Sequence, residues 1–280
     1  MNRAAALALA LALGAPAAAR GELVPVRHTE GLAHGFVALR TLEGETLAEG
    51  DLTQHVRGDR VTGKLRFRFR DGSLREETTV FTQRGHFRFV SNHVVQKGPA
   101  FKQQLESHIE RGGRVKVRYS EDGGEEKTID EHVDLPPDVA NGMMIVLLKN
   151  IAAPKRKVTV SMVAITPKPR VVKLEFEPVG EDPFSIVGVS RKAVHFVMKV
   201  HVPGVTGVVA SVLGKVPPDS HFWVLAGDAP TFVRGDTQLA MGGPVWRVEL
   251  ASPTWPEPSK GEGEVKDEAK PDAGAPDEKR

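Results

Sequence analysis

Apolar and polar residues alternate with a period of two along most of this chain. In Lys64–Arg70, the apolar residues Leu65, Phe67 and Phe69 alternate with basic residues. Such alternation is typical of a β-strand with one buried face and one face in water. We predict further strands in Gly35–Thr41, Thr46–Arg57, His86–Val90, Val115–Tyr119, Val158–Ile165, Val172–Glu177, Ala193–Val202, His221–Leu225 and Trp246–Leu250. The pattern therefore indicates roughly a dozen strands.

The Asp-Gly pair at 71–72 follows the first of these segments and predicts a hairpin turn, because both residues tolerate positive φ. Continuing the strands through this turn places Arg66 opposite Glu77. The same register places Phe67 opposite Glu76, an unfavourable pair, so a bulge in this hairpin is the alternative.

One apolar segment is typical of a helix. Pro136–Asp138 supply a rigid start and a carboxylate for the first turn, and Val139–Ile151 follow. Met143–Leu148 are apolar on every face, which predicts a helix buried on all sides. A large sheet with a single apolar face must cover that face. We therefore predict a mainly β fold with minor α, namely a large curved antiparallel sheet or half-barrel wrapped around one buried helix.

A second apolar stretch, Thr206–Leu213, lies between Gly204 and Gly214. A glycine directly after such a stretch is a plausible stop signal for a helix. The same stretch fits a mobile loop over an opening of the sheet, and both interpretations stay open.

The first residues of the chain have the pattern of a cleavable signal peptide. In residues 1–19, the early cation Arg3 precedes the apolar run Ala4–Leu13, and small residues follow. We expect cleavage between Ala19 and Arg20. The run is shorter than the roughly 20 residues of a membrane span, so we predict no transmembrane span in the mature chain.

The other end is highly charged and rich in proline and glycine. Residues 256–280 contain a single sizeable apolar residue, Val265, and we predict a disordered charged tail. Residues 20–255 show neither a linker nor an internal repeat and are predicted to form one β-rich domain. With the signal peptide removed, this domain is expected to be periplasmic or secreted.

Composition narrows the classes of function. The sequence contains no cysteine, so neither a disulfide nor lipidation at an N-terminal cysteine can occur. The formal net charge is only +2, and with export expected we predict no nucleic-acid partner.

Motifs with known chemistry are incomplete in this chain. Gly207–Lys215 lacks the first glycine and the hydroxyl residue of a phosphate-binding loop. Gly188–Lys192 lacks the closing glycine of a nucleophile elbow. His195 and His201 share the polar face of one strand but lie too far apart to hold one ion. We predict no catalytic residue, no metal site and no cofactor, and we leave enzymatic activity open while favouring a non-enzymatic protein.

Two groups of residues could bind a partner or a ligand, namely a basic stripe on one strand and a set of methionines. The basic residues of Lys64–Arg70, together with Arg88, could dock an anionic partner, although a solvated sheet face is the simpler interpretation. Methionines on the predicted helix and in the longest apolar row suit either an irregular cavity or an ordinary core. The candidate ligand-binding residues are Met143, Met144, Leu147, Leu148, Met198, Val208 and Val209.

Two segments carry a resemblance to known proteins. Asp134–Gly142 and Gly242–Trp246 resemble uncharacterised exported bacterial proteins, and the likeness covers most of Val26–Trp255. These motifs imply no chemistry. The predicted layout is also similar to periplasmic lipoprotein carriers, in which a curved sheet shelters acyl chains, and this analogy implies a lipid-like ligand.

Three hypotheses follow. The first is an exported non-enzymatic protein that binds an apolar or amphiphilic ligand, for example a lipid, inside a curled sheet. Its entrance is expected near Met143–Leu148 and Gly204–Gly214. The second is a structural or interaction module of the cell envelope, with a packed core and a protein partner. The third is a hydrolase or metalloenzyme whose site is assembled from separate strands. A cavity inside the sheet would favour the first hypothesis over the second.

Overall fold

The computed structural model describes residues 21–151, 156–165, 168–186, 189–202, 217–240 and 242–251. These residues form fourteen antiparallel strands and one short helix, which confirms the predicted fold class. The predicted signal peptide and charged tail lie outside the described residues, as does the stretch Thr206–Leu213.

The first half of the sheet is a run of eight strands. They are β1 Ala33–Arg40, β2 Thr46–Arg57, β3 Arg60–Phe69, β4 Leu74–Arg84, β5 His86–Lys97, β6 Gln103–Glu110, β7 Arg114–Glu121 and β8 Lys127–His132. The helix and six further strands follow. They are α1 Met144–Asn150, β9 Val158–Ala164, β10 Arg170–Ile186, β11 Val189–His201, β12 Ser220–Leu225, β13 Thr231–Gln238 and β14 Val245–Leu250.

Strands that are neighbours in sequence are also neighbours in the sheet, within β1–β8 and again within β9–β14. The two meanders join where β1 pairs with β14, with Val37 opposite Leu250. Strands β8 and β9 are the two edges of this sheet, which is therefore open.

The sheet curves until its two halves face each other. Asn141 Nδ2 donates to the Val163 carbonyl of β9 at 3.0 Å. The next residue, Gly142, lies against β4, where a Cβ atom would come within 1.9 Å of Thr79 Oγ1. Strands β4 and β9 are nine positions apart in the sheet. In a flat sheet that separation would be about 40 Å. Only a curled sheet brings both strands next to consecutive residues.

Side chains of both halves and of the helix form one hydrophobic core. Leu147 and Leu148 of α1 are 3% and 1% exposed, and Phe67 of β3 and Phe176 of β10 are equally buried. The helix thus lies inside the curled sheet, as the apolar run predicts. No helix in the described part of the chain has the length and apolar character needed to cross a membrane.

The alternation predicts the strand faces well. Strand β2 has the predicted bounds, and Val194, Phe196 and Met198 of β11 are all buried. Strands β6, β8 and β13 were not predicted. Their sequences carry polar residues on both faces, so the period of two is weak there.

The β3–β4 hairpin has a different register from the predicted one. Phe69 N donates to the Ser73 carbonyl at 2.9 Å, so the loop spans residues 70–72 rather than the Asp-Gly pair alone. Arg66 consequently lies opposite Glu76, and Phe67 lies opposite Arg75, without a bulge. The longer loop shifts the pairing by one residue and turns Arg75 toward the inner face of the sheet.

The helix is shorter than predicted, because its expected first turns pair with a strand. Ala140 N donates to the Ser161 carbonyl at 2.9 Å, and Val139 forms an isolated bridge to the same residue. This segment covers the free edge of β9. Gly142, with a φ of 70°, ends it in a conformation that favours glycine, and α1 begins two residues later.

The N-terminal strap, Gly21–Gly31, closes one end of the curled sheet. Glu22 N donates to the Thr159 carbonyl of β9 at 2.8 Å. Asn150 Oδ1, at the last residue of α1, accepts the N–H groups of Arg27 and its successor at 2.9 and 2.8 Å. The strap also pairs with the β4–β5 turn. It therefore ties the β9 edge, the helix and the first half of the sheet together.

Candidate functional site

A cavity of about 320 Å³ lies between the inner face of the sheet and the start of α1. This volume is at the lower end of the roughly 300–1,000 Å³ that small-molecule sites occupy. Strands β3–β6 line one side of it, and β9–β14 line the other. Both halves of the sheet thus build one site that no single segment of the sequence encodes.

The side formed by α1 and β9–β11 is apolar. Leu174 and Met198 are 0% and 8% exposed, and they pack between the two halves of the sheet. This apolar wall consists of Met144, Ile145, Met162, Leu174, Met198 and Val200. Three of the six are methionines, whose flexible side chains adapt to ligands of varied shape.

The opposite side, which we term the polar wall, is formed by β4, β5 and β6. It consists of Arg75, Glu77, Asn92, Gln96 and Ser107. The strand register places Arg75 opposite Gln96 and Ser107 opposite Val94, so these side chains lie in adjacent rows. An apolar cavity with a few convergent polar groups is the usual form of a ligand site.

Hydrogen bonds within the polar wall are unevenly distributed. Asn92 Nδ2 donates to Glu77 Oε1 and to Thr79 Oγ1, both at 2.9 Å. Gln96 Nε2 donates to the Gln103 carbonyl at 2.9 Å. These bonds fix the amide side chains and satisfy one carboxylate oxygen.

The Arg75 guanidinium makes only long contacts within the described residues. Its Nη1 lies 3.4 Å from Gln96 Oε1, and its Nη2 lies 3.5 Å from Glu77 Oε2. Charge-assisted bonds of this kind are usually about 2.7–2.9 Å long. Only 12% of the Arg75 side chain is exposed. Burial lowers the pKa of this guanidinium, and the Glu77 carboxylate opposes the change.

The structure divides the candidate ligand-binding residues into three groups. Met144 and Met198 line the cavity. Met143, Leu147 and Leu148 are packed in the hydrophobic core, where each is at most 3% exposed. Val208 and Val209 lie outside the described residues, but Pro217 and Pro218, shortly after them, line the cavity.

The residues of the polar wall were missed by the sequence prediction. Arg75 and Glu77 belong to a strand that is polar on both faces, and the assumed register turned Glu76 inward instead. The unfavourable pairing predicted for Phe67 was the available signal. Its true neighbour across the hairpin is Arg75, a charged residue that faces the cavity.

The outer face of β11–β13 carries a second group of polar and aromatic side chains. His195 stacks on Trp223 at 4.4 Å between ring centroids and lies 3.0 Å from the His221 ring. Burial lowers the pKa of His195, and the Asp182 carboxylate opposes the change. Among the described residues, no three His, Asp or Glu side chains are arranged to hold a metal ion.

Three of the four basic residues of Lys64–Arg70 form ion pairs on the outer face. Lys64 and Arg66 both contact Glu76, at 2.8 and 2.5 Å, and Arg68 contacts Asp51 at 2.7 Å. These pairings are those expected of a solvated sheet face, which is the simpler of the two interpretations.

A group of three side chains, two buried and one partly exposed, lies where the strap meets β9 and is here called the paired cluster. Ser161 Oγ donates to Asp138 Oδ2 at 2.7 Å. Lys173 Nζ donates to Ser161 Oγ at 2.7 Å and to Asp138 Oδ2 at 3.3 Å. A Cβ atom at Gly21 would overlap Asp138, so the strap lies directly against the cluster. Ser161 is fully buried, and its hydroxyl is hydrogen-bonded to both other members of the cluster.

Comparisons with known proteins give one structural likeness. No family model matches the chain, and no curated protein matches it either. The chain is similar to the crystal structure of a β-barrel-like protein of domain of unknown function DUF1849 from Brucella abortus. The likeness covers 80% of this chain and 98% of that one, with 11% sequence identity and a TM-score of 0.44. The lipoprotein-carrier layout stays an analogy.

Proposed function

We propose that this chain is an exported, non-enzymatic protein that binds an apolar or amphiphilic ligand inside its curled sheet. The observation that carries the proposal is the cavity of about 320 Å³, with an apolar wall on one side and polar groups on the other. Protein cores contain few voids larger than a water molecule. A cavity of this size therefore supports ligand binding over a purely structural module with a packed core.

Cavity filling tests this proposal. Met198→Trp places a larger side chain in the cavity, and Val197→Trp places the same side chain on the opposite face of the same strand. Binding of the fluorescent probe N-phenyl-1-naphthylamine is expected to fall at least tenfold in the first variant and to stay unchanged in the control. Thermal unfolding checks that both variants are folded.

Native mass spectrometry of the wild-type protein from its own envelope provides the complementary measurement. We expect a co-purifying lipid-like mass that organic extraction removes. A folded wild-type protein that carries no such mass and binds no probe would overturn the proposal. A partner recovered by crosslinking equally well with wild type and Met198→Trp would then favour the interaction-module alternative.

Export is proposed from residues 1–19 alone. Intact-mass analysis of the protein from envelope extracts is expected to show a chain that begins at Arg20. A chain that retains Met1 in the cytoplasm would overturn this part of the proposal.

A further inference from the structure

Hydrogen-bonding capacity on the polar wall is left unused toward the cavity. Ser107 is 1% exposed, and its Oγ has no hydrogen-bond partner among the described residues. Buried hydroxyl groups are normally hydrogen-bonded, because leaving one unpaired costs free energy. Ser107 lines the cavity, so a molecule that occupies the cavity can supply the missing partner.

Arg75 has more N–H donors than the described residues around it accept. A guanidinium carries five N–H groups and no acceptor. The contacts of Arg75 with Gln96 and Glu77, at 3.4 and 3.5 Å, are too long to be strong bonds. Its remaining donors lie in the lining of the cavity, where a largely buried charge loses part of its solvation.

The carboxylate of the same wall is better satisfied than the arginine. Glu77 Oε1 accepts from Asn92 at 2.9 Å, and Asn92 is itself 2% exposed and held by Thr79. Glu77 Oε2 has only the 3.5 Å contact with Arg75, but the guanidinium has five N–H groups and no short contact among the described residues, so the larger unused capacity belongs to the cation. A ligand that brings an anionic acceptor gains more at this wall than one that brings a cation or a donor.

We propose that the ligand is a single-chain amphiphile whose polar end is acidic, a carboxylate or a phosphate, and that this end lies on the polar wall. Arg75 donates to its oxygens, Ser107 donates a further hydrogen bond to the same polar end, and the alkyl chain lies along Met144 and Met198. This inference rests on the proposed function and specifies the class of ligand. The volume of about 320 Å³ suits one alkyl chain rather than several.

The test compares ligands that differ only in their polar end. Dodecanoic acid, dodecyl phosphate, dodecanol and dodecylamine each compete with N-phenyl-1-naphthylamine on the full mature chain at pH 8. We expect one or both acids to bind at least tenfold more tightly than the alcohol and the amine. The acid with the higher affinity identifies the polar end.

Variants test which residues cause the preference for an acidic polar end. Arg75→Met is expected to reduce the affinity for the acid at least tenfold and to leave that for dodecanol unchanged, while Arg66→Met, on the outer face, changes neither. The double variant Arg75→Met/Glu77→Gln keeps the charge of the wall balanced and is expected to show the same loss of acid binding. It covers the case in which the single variant does not fold. Ser107→Ala is expected to weaken acid binding about threefold.

Two failures are distinguishable. If acid and alcohol bind wild type equally, or if Arg75→Met weakens both equally, the acidic polar end is wrong while ligand binding stands. If none of the four compounds displaces the probe and the probe itself does not bind to folded protein, the proposed function fails as well.

Discussion

The paired cluster and the polar wall each contain a cation, a carboxylate and a serine hydroxyl. The hydrogen bonds among these groups are short in the paired cluster and long or missing on the polar wall. In the paired cluster, a lysine, an aspartate and a serine are joined by bonds of 2.7 to 3.3 Å. On the polar wall, the arginine contacts are 3.4 and 3.5 Å long, and the serine has no partner among the described residues. Both serines are almost fully buried, so burial alone does not account for the difference.

What separates the two groups is the space beside them. The strap lies directly against the paired cluster, where even a Cβ atom at Gly21 would not fit. The polar wall borders the cavity. The side chains of the paired cluster use their hydrogen bonds to hold neighbouring segments together. The polar wall has unused donors beside the cavity and can therefore bind a ligand.

The largest effect is expected from the loop that crosses the polar wall. In Gly142→Ala, the new Cβ would overlap Thr79 Oγ1 and Asn92 Nδ2 at a φ of 70°. We expect a loss of about 3 kcal/mol in the free energy of unfolding. The control Gly72→Ala, with a φ of 84° and open space around it, should lose about 1 kcal/mol. Denaturant unfolding measures both losses of free energy. Equal losses would mean that Thr79 and Asn92 move aside at little cost when a Cβ atom is added at Gly142.

Removing the two cations compares the two groups directly. Lys173→Met leaves Asp138, whose side chain is 4% exposed, without its cation, and should cost about 2 kcal/mol. Arg75→Met also leaves a carboxylate, that of Glu77, but this side chain is 21% exposed and loses only a long contact, so the expected cost is smaller, about 1 kcal/mol. The free energies of unfolding in urea check the order. A larger loss for Arg75→Met would show that the polar wall stabilises the fold as strongly as the paired cluster does.

The two serines give a finer comparison. Ser161→Ala removes a hydroxyl with two partners and should cost about 1.5 kcal/mol. Ser107→Ala removes a hydroxyl without a described partner and should leave the stability unchanged or raise it by about 0.5 kcal/mol. Thermal unfolding at several pH values is sufficient to measure both. A clear loss in Ser107→Ala would reveal a partner for this hydroxyl and weaken its assignment to a ligand.

The outer face provides the smallest and most specific prediction. Burial acts to raise the pKa of Asp236, but hydrogen bonds from Arg234 and Arg247 outweigh it and hold the pKa below its usual value. A carboxylate with a lowered pKa stabilises the fold above its unfolded pKa of about 3.9 and loses this contribution as the pH falls further.

Between about pH 5 and about pH 2, wild type should therefore lose more of its free energy of unfolding than Asp236→Asn does. Urea unfolding at each pH measures the two slopes, with Ser107→Ala as the variant that should keep the wild-type slope. Equal slopes for wild type and Asp236→Asn would show that these ion pairs are not maintained in solution. This measurement also gives the acid response of the outer face, against which that of the two buried groups is compared.

The sequence predicts much of the fold, because alternation is a local signal. Strand β2 and the buried row of β11 follow from it directly. The helix is only partly predicted, because the residues before Gly142 are apolar enough for a helix but are needed along the free edge of β9. Which of the two structures forms depends on a strand that lies after them in sequence.

The candidate site is predicted less well, for a related reason. Met144 and Met198 are apolar residues in strongly patterned segments, and both line the cavity. Arg75 faces the cavity only because the hairpin loop is one residue longer than a two-residue turn and shifts the register by one. A shift of one residue exchanges the two faces of a strand, so local composition could not assign Arg75 to the inside.

The pairing of β1 with β14 has a consequence for the order of folding. Each of the strands β2 to β8 pairs with the strand directly before it, so this meander can assemble from contacts that are close in sequence. The other edge of β1 pairs with β14, which is the last strand of the described sheet in sequence. Until β14 arrives, that edge is a row of unpaired backbone groups, the kind of surface on which partly folded chains aggregate. Completion of the last strand, rather than formation of the first hairpins, should therefore set the time at which this protein becomes safe from self-association.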